Sequence, residues 1–336
     1  MTETAHSRFH KVMSGALPGD RLPIIEWAGW WDQTIRRWES EGLPAGLDTQ
    51  EIRNYFSQDR HFQFWIGSMC PGPTPKRAGH GAPYIENEQD YTEILPFLYP
   101  ATLPTDPQAI RQAALAQTDG SALVWITLEG FFWWPRVLLG IEPHLYAFYD
   151  QPELMHRINQ HLADYLLRLI EQFSALCVPD FATFAEDMSY NHGPMISKEL
   201  FDEFMAPYYR QVIPALTSRG IIPLIDSDGD IEPLIPWFEA VGLEGILPLE
   251  RMAGVDVNRI RAHHPRWKMI GAFDKTVMHL GEARMRAEFE RLLPVMRSGN
   301  FIPSVDHQTP PGVSLEQYRL YMQLLKEYTE HACRED

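Results

Sequence analysis

The stretch FATFAED, residues 181–187, shows the pattern from which the fold can be predicted. It is a short, mostly apolar run that closes on two acids and is followed by a segment of helical character. The stretch IIPLID, residues 221–226, repeats this arrangement. A short strand followed by a helix, repeated along a chain, predicts a parallel sheet with helices packed against it.

Runs of this kind recur along the whole chain. They are residues 22–26, 61–66, 123–129, 181–187, 221–226, 245–250, 269–274 and 301–307. Eight strands suit a closed barrel, and α/β barrels commonly reach 336 residues as one domain. We therefore predict a single (β/α)8 TIM barrel over residues 1–336. Residues 1–20 would form a lead-in, and the Pro- and Gly-rich residues 71–104 an irregular excursion between the second and third strands.

The composition narrows the class of protein. Hydrophobic residues make up 45% and charged residues 22%, as in ordinary globular proteins. The net charge of −16 opposes binding to nucleic acid or to an anionic membrane. Three cysteines without a CxxC motif, the lack of a signal-peptide pattern, and the lack of a long apolar run predict a cytoplasmic protein.

Several helix starts carry recognisable N-cap signals. Asp106 before Pro107 and Asp150 before Pro152 fit N-cap positions, and Ser314 with Gln317 fits a capping box. These signals place helices after the predicted strands.

Acids gather at the predicted strand ends. The polar side chains there are Glu26, Glu129, Glu186, Asp187, Asp226, Asp228, Glu250, Asp274, Asp306 and His307. The carboxyl ends of barrel strands converge on one mouth, so these residues are expected to share a cavity. Crowded carboxylates raise one another's pKa values unless a metal ion or a cationic substrate neutralises them. Alternatively, individual acids cap the following helices or pair with Arg136, Arg251 and Lys275.

The segment DSDGD, residues 226–230, resembles part of a calcium loop. Leu234 and Trp237 stand where an EF-hand needs oxygen ligands, so the sequence argues against calcium.

Aromatic residues follow two of the predicted strands. They are Trp27, Trp30 and Trp31 after the first strand, and Phe131, Phe132, Trp133 and Trp134 after the third. Such loops can line a pocket for a flat or apolar substrate. The alternative is that they pack between barrel and helices as part of the core.

Four stretches together carry a family resemblance. They are EDMSYNHGPMIS at 186–197, DSDG at 226–229, GAFDK at 271–275 and DHQTPP at 306–311. In this order they resemble the uroporphyrinogen decarboxylase and corrinoid methyltransferase superfamily. The resemblance spans nearly the whole chain and implies the barrel independently of periodicity.

One motif departs from the decarboxylase branch. Authentic uroporphyrinogen decarboxylases carry Arg-Gln-Ala-Gly-Arg after the first strand, and those arginines bind the substrate carboxylates. Residues 26–30 here read EWAGW. Glu26 would repel the porphyrinogen side chains, so we expect weak or no activity on uroporphyrinogen.

A second departure concerns the methyltransferase branch, whose zinc is held by a His-x-Cys pair and a further Cys. The similar positions here are Asp226, Asp228 and His307. The resemblance implies that these three bind zinc or another divalent ion and, with Glu186, act in catalysis. For His307 the alternative is a histidine that orders the last loop. The expected substrate-binding residues are Glu26, Trp27, Trp30, Trp31, Trp133, Trp134, Tyr190, Glu250 and Asp274.

The leading functional hypothesis is methyl transfer. A methylated small molecule would bind in the aromatic pocket and donate its methyl group to a corrinoid on a partner protein. One alternative is a decarboxylase for a substrate other than uroporphyrinogen. Another is a non-catalytic barrel that binds a small molecule.

Overall fold

A computed structural model describes residues 3–72, 79 and 82–334. These residues form an α/β fold around a curled parallel sheet of seven strands. In chain order the strands are β1 (Arg60–Ile66), β2 (Ala122–Glu129), β3 (Phe181–Ala185), β6 (Ile222–Asp226), β7 (Gly245–Leu247), β8 (Lys268–Phe273) and β9 (Phe301–Val305). Between β3 and β6 lies a small antiparallel hairpin of β4 (Ser189–Tyr190) and β5 (Gly193–Pro194).

Helices follow each strand of the sheet, as the sequence predicts, and three further helices precede β1. They are α1 (Ala5–Met13), α2 (Asp32–Ser40), α3 (Thr49–Tyr55), α4 (Glu88–Ile94), α5 (Pro107–Thr118), α6 (Trp133–Leu139), α7 (Ile141–Asp150), α8 (Pro152–Ser174), α9 (Lys198–Phe204), α10 (Ala206–Thr217), α11 (Ile235–Glu239), α12 (Val257–His263), α13 (Glu282–Met296) and α14 (Leu315–Ala332). None of the helices in the described part of the chain combines the length and the hydropathy of a membrane-spanning segment.

The strands pair side by side in the order β1-β2-β3-β6-β7-β8-β9, each parallel to the next. Their carboxyl ends therefore lie at one edge of the sheet, and the loops after them approach one another. Every residue of β2 and β3 is buried, as expected for strands covered on both faces. Seven of the eight predicted strands are confirmed.

The first predicted strand, residues 22–26, is wrong. Residues 22–26 lie within the described chain but form no strand. Pro23 has no N–H to donate to a ladder. Val305 N donates to the Glu26 side chain (3.2 Å) and not to a main-chain carbonyl, so regular pairing with β9 is lost.

The excursion at 71–104 is only partly irregular. Asn87 accepts from the N–H groups of Gln89 and Asp90 and starts helix α4, which the Pro and Gly content had concealed. Residues 73–78, 80 and 81 of this segment lie outside the described residues.

The capping predictions are confirmed at two of three positions. Asp106 accepts from Gln108 N at the start of α5, and Ser314 forms the predicted capping box with Gln317. The prediction for Asp150 is wrong, because α7 runs through Asp150 and Gln151 takes the N-cap position of α8.

Candidate active site at the strand ends

Three side chains meet at the carboxyl ends of the sheet. Asp228 follows β6, Glu250 follows β7 and His307 follows β9. Their ligand-forming atoms all lie within 4.8 Å of one another. His307 Nε2 is 3.7 Å from Asp228 Oδ2, and both side chains are about one-third exposed to solvent. This group, called the Asp228 cluster below, is accessible to a small molecule.

Main-chain contacts position the Glu250 carboxylate and the loop that carries Asp228. Gly229 has a φ of +83°, and a Cβ there would come within 2.8 Å of the Tyr190 main chain in the β4–β5 hairpin. Gly229 N donates to Glu250 Oε2 at 3.0 Å. Ser189 Oγ donates to the main-chain oxygen of Asp228. The hairpin and the glycine thus hold the Asp228 loop against Glu250.

The pKa of the Asp228 carboxyl is raised by its surroundings. Burial, together with the Asp187 and Glu250 carboxylates, raises the pKa of Asp228 from 3.8 to about 7. Lys275 acts in the opposite direction. A carboxyl with a pKa in this range suits general acid–base chemistry near neutral pH.

His307 is held in one tautomer. Gln308 N donates to His307 Nδ1 at 2.8 Å, so Nδ1 carries the lone pair. In the neutral imidazole the proton then sits on Nε2, the atom nearest Asp228. Burial and the Lys275 ammonium lower the pKa of His307, which favours this neutral form. The edge of the Trp27 ring lies against the imidazole, with centroids 6.0 Å apart.

Asp226 lies beside the cluster rather than in it. It ends β6, and its main-chain oxygen accepts from Glu186 N at 2.9 Å. Burial and the Asp187 and Asp228 carboxylates raise the pKa of Asp226 well above its ordinary range. Glu250, which the sequence suggests as a substrate contact, takes the third position next to Asp228 and His307.

Glu186 is fully buried and already saturated with hydrogen bonds. It accepts from Phe131 N at 2.8 Å, Phe132 N at 2.8 Å and Trp133 N at 2.9 Å, and from the Tyr209 hydroxyl. A Cβ on Gly130 would come within 2.1 Å of its carboxyl carbon. Glu186 therefore holds the start of α6, and the structure gives it no contact with the Asp228 cluster.

Glu26 is likewise an internal anchor. It is 1% exposed and accepts from Ser304 Oγ at 2.9 Å and from Tyr321 OH at 2.5 Å. This placement differs from the expected substrate contact, because the carboxylate is hydrogen-bonded to Ser304 on β9 and to Tyr321 on α14.

The predicted aromatic pocket divides into core and surface residues. Trp30 packs on Trp38 and Tyr318, and Trp134 donates to the Tyr99 hydroxyl, so both belong to the core. Trp31 and Tyr190 are about half exposed.

Trp133 and Asp274, both expected to bind substrate, make contacts within the protein. The Arg136 guanidinium stacks on Trp133, with 5.1 Å to the ring centroid. Asp274 caps the short 3-10 helix Lys275–Leu280 through Thr276 N at 2.8 Å, the helix-capping alternative.

Asp306 and Lys275 have roles near the Asp228 cluster that the sequence does not indicate. Asp306 is 2% exposed and accepts from Arg251 N and Lys275 N at 3.2 Å each. Burial raises its pKa to about 7. Lys275 supplies positive charge toward Asp228, Asp306 and His307. In the sequence, Lys275 appears only as a general partner for acids, since Asp228 follows β6 and Asp306 and His307 follow β9, both far from Lys275 along the chain.

Comparison with known proteins places the chain in a family. The family model described as uroporphyrinogen decarboxylase (URO-D) matches residues 138–328, more than half of the chain. No curated protein matches the sequence. The chain belongs to the URO-D family, as its motifs predict.

Two solved structures align with this chain over most of its length. A methyltransferase from Methanosarcina mazei aligns over 97% of this chain and 99% of its own, with a TM-score of 0.63 and 12% identity. A putative vitamin-B12 independent methionine synthase from Listeria monocytogenes aligns over 94% and 97%, with a TM-score of 0.47 and 10% identity. The first likeness confirms the fold alone, because its identity is low.

Proposed function

We propose that the Asp228 cluster is the reaction centre of an enzyme that moves a methyl group from a methylated small molecule to a corrinoid on a partner protein. The observation that carries the proposal is a carboxyl with a pKa of about 7 beside Glu250 and His307, at the carboxyl ends of the strands. Catalytic groups of barrel enzymes lie at this face.

The proposed chemistry uses Asp228 as a proton donor. Loss of the methyl group breaks the bond between its carbon and a heteroatom, which keeps the bonding electrons. The Asp228 proton neutralises that heteroatom as it leaves, and the methyl carbon bonds to the acceptor. Lys275 then lies close to the resulting carboxylate and stabilises it.

His307 contributes a second donor. Its Nε2–H lies on the side of Asp228 and can orient the substrate heteroatom. A metal ion would need the Nε2 lone pair. Because Nδ1 accepts a hydrogen bond from Gln308 N, the proton of the neutral ring lies on Nε2. The present contacts therefore favour proton transfer, and zinc binding by Asp226, Asp228 and His307 stays a prediction.

Decarboxylation is the second candidate. It is favoured by the same carboxyl, because a carbanion left after loss of CO2 needs a proton from a nearby acid. The two reactions differ in product, so one assay can separate them.

We also propose that residues 22–26 fill the eighth position of a barrel without forming a strand, in a single domain. Two contacts support this: Asp59 N donates to Ile24 O at 2.8 Å next to β1, and Glu26 binds β9 on the other side.

The function is tested with reduced free cobalamin as acceptor and a panel of methylated amines, ethers and thioethers as donors. We expect methylcobalamin to form together with the demethylated product. Release of CO2 from carboxylic acid substrates without methylcobalamin would instead favour the decarboxylase. Metal content of the purified protein and of Asp228→Asn is measured in parallel, and a metal lost in the variant would support the ligand role.

A further inference from the structure

Helix α1 crosses the amino-terminal side of the sheet, opposite the Asp228 cluster. His6 N donates to Gly120 O at 3.2 Å, just before β2. Asn300 N, just before β9, donates to Val12 O at 2.8 Å. The helix is therefore fastened at both of its ends to residues that precede strands.

Two histidines on this helix converge on one buried carboxylate. His6 and His10 are four residues apart and so lie on the same face of α1. Their Nε2 atoms are 2.9 Å and 2.6 Å from Asp180 Oδ1, and their ring centroids are 4.4 Å apart. Asp180 immediately precedes β3.

The Asp180 carboxylate is held in a fixed orientation. Its side chain is 1% exposed, and Oδ2 accepts from Val124 N at 2.7 Å and from Gln117 Nε2 at 2.9 Å. Oδ1 is thereby turned toward the imidazoles. Hydrogen bonds that orient a ligand carboxylate in this way are typical of metal sites.

We propose that His6, His10 and Asp180 form a site for a divalent transition metal such as zinc, which fastens α1 to the sheet. Two imidazole nitrogens and one carboxylate oxygen are ligands that zinc accepts. Both histidine side chains are more than one-third exposed and border an open cavity of about 630 Å³. A fourth position is thus open to water.

Metal entry requires only a small movement. With bonds near 2.0–2.2 Å, tetrahedral ligand atoms are about 3.3 Å apart. The present distances of 2.6 Å and 2.9 Å are those of hydrogen bonds, so the pairs separate by roughly half an ångström. Each neutral imidazole moves its proton to Nδ1, which frees the Nε2 lone pair for the metal.

The location of the site indicates a role in stability. It lies at the amino-terminal ends of the strands, where barrel proteins keep stabilising rather than catalytic residues. A bound metal stabilises the folded state by mass action. We therefore expect zinc to raise the melting temperature without being required for turnover.

The site is tested by calorimetric titration of the chelator-treated full-length protein with Zn²⁺, and by the absorption spectrum of bound Co²⁺. The titrated protein carries Asp228→Asn, which removes one carboxylate ligand from the Asp228 cluster and so weakens any binding there. We expect one metal per chain, and at least about 10-fold weaker binding in His6→Ala and His10→Ala. His263→Ala, an exposed histidine on α12, serves as the matched control and should bind as before.

A second measurement separates a metal site from a hydrogen-bonded clamp. The melting temperature of each variant is compared with and without zinc, so that any loss of basal stability cancels. Zinc should raise it in the parent and in His263→Ala but not in the His6→Ala/His10→Ala double variant. Equal zinc effects in all three proteins, or no zinc binding by the parent, would overturn the proposal.

Discussion

Asp228 combines two properties within one carboxyl group. It is partly exposed at the strand ends, and its pKa is raised to about 7. Asp306, with a similar pKa, is buried and occupied by two main-chain donors. Exposure therefore distinguishes the proposed acid from the acid that supports it.

Asp228→Asn keeps the size of the side chain and removes the transferable proton. We expect kcat for the identified substrate to fall by roughly 10²–10⁴-fold, the usual contribution of general acid catalysis, with a smaller change in KM. Steady-state kinetics measure this. Asp164→Asn, on the exposed face of α8, is the control. Wild-type turnover in Asp228→Asn would remove Asp228 from the mechanism.

Trp30 belongs to the core, so its replacement should act on stability. Trp30→Ala removes contacts with Trp38, Phe56 and Tyr318, and we expect a loss of about 3–5 kcal/mol in unfolding free energy. Trp31→Ala, at the half-exposed neighbour, should change it by no more than about 0.5 kcal/mol. Denaturant unfolding compares them. A raised KM with unchanged stability in Trp30→Ala would instead support the pocket role predicted from sequence.

From the sequence we could predict which polar residues lie near the site, but not what each of them does. Asp228 and His307 were recognisable because they follow strands within family motifs. The roles of Glu26 and Glu186 depend on donors far away in sequence, such as Tyr321 and Tyr209. Only the folded chain brings those donors together, so residue type alone could not separate an anchor from a reactive acid.

At the scale of elements, segment 22–26 depends on one side chain for its attachment to β9. Glu26 accepts from Ser304, Val305 N and Tyr321, and an amide can accept at only one of its two terminal atoms. Glu26→Gln should therefore cost about 1–3 kcal/mol of unfolding free energy. Hydrogen exchange should show the largest loss of protection around β9.

Glu316→Gln provides the control for that measurement, because Glu316 is exposed in the first turn of α14. We expect its unfolding free energy to stay within about 0.5 kcal/mol of the parent. Equal stability of the two variants would contradict the anchoring role of Glu26.

The strands were predictable because short apolar runs ending in acids recur with helical segments between them. The β4–β5 hairpin and helix α4 were not predicted. The hairpin has only two residues per strand, too few to show an alternating pattern. Helix α4 has seven residues in a segment whose Pro and Gly content favours loops.

For the whole molecule, buried acids make stability depend on pH. Burial and the Glu186 carboxylate raise the pKa of Glu129 from 4.5 to about 7. A carboxyl with a raised folded-state pKa stabilises the fold fully below its unfolded pKa and loses that effect as pH rises through 7. The Glu129 contribution should fall by roughly 2 kcal/mol between pH 5 and 8.

Thermal unfolding of the parent and of Glu129→Gln across this range checks the contribution. As pH rises from 5 to 8, the parent should lose more unfolding free energy than Glu129→Gln. Parallel pH profiles would show that Glu129 has an ordinary pKa.

We infer that the Asp228 cluster holds a carboxyl that is protonated near neutral pH. Its most direct measurement is an NMR titration of isotope-labelled aspartate carboxyl carbons, with Asp228 assigned by the signal missing in Asp228→Asn. It needs no knowledge of the substrate. We expect a midpoint for Asp228 of about 7. A midpoint near the ordinary value of 3.8 would contradict it, because the group would then have no proton to donate at neutral pH.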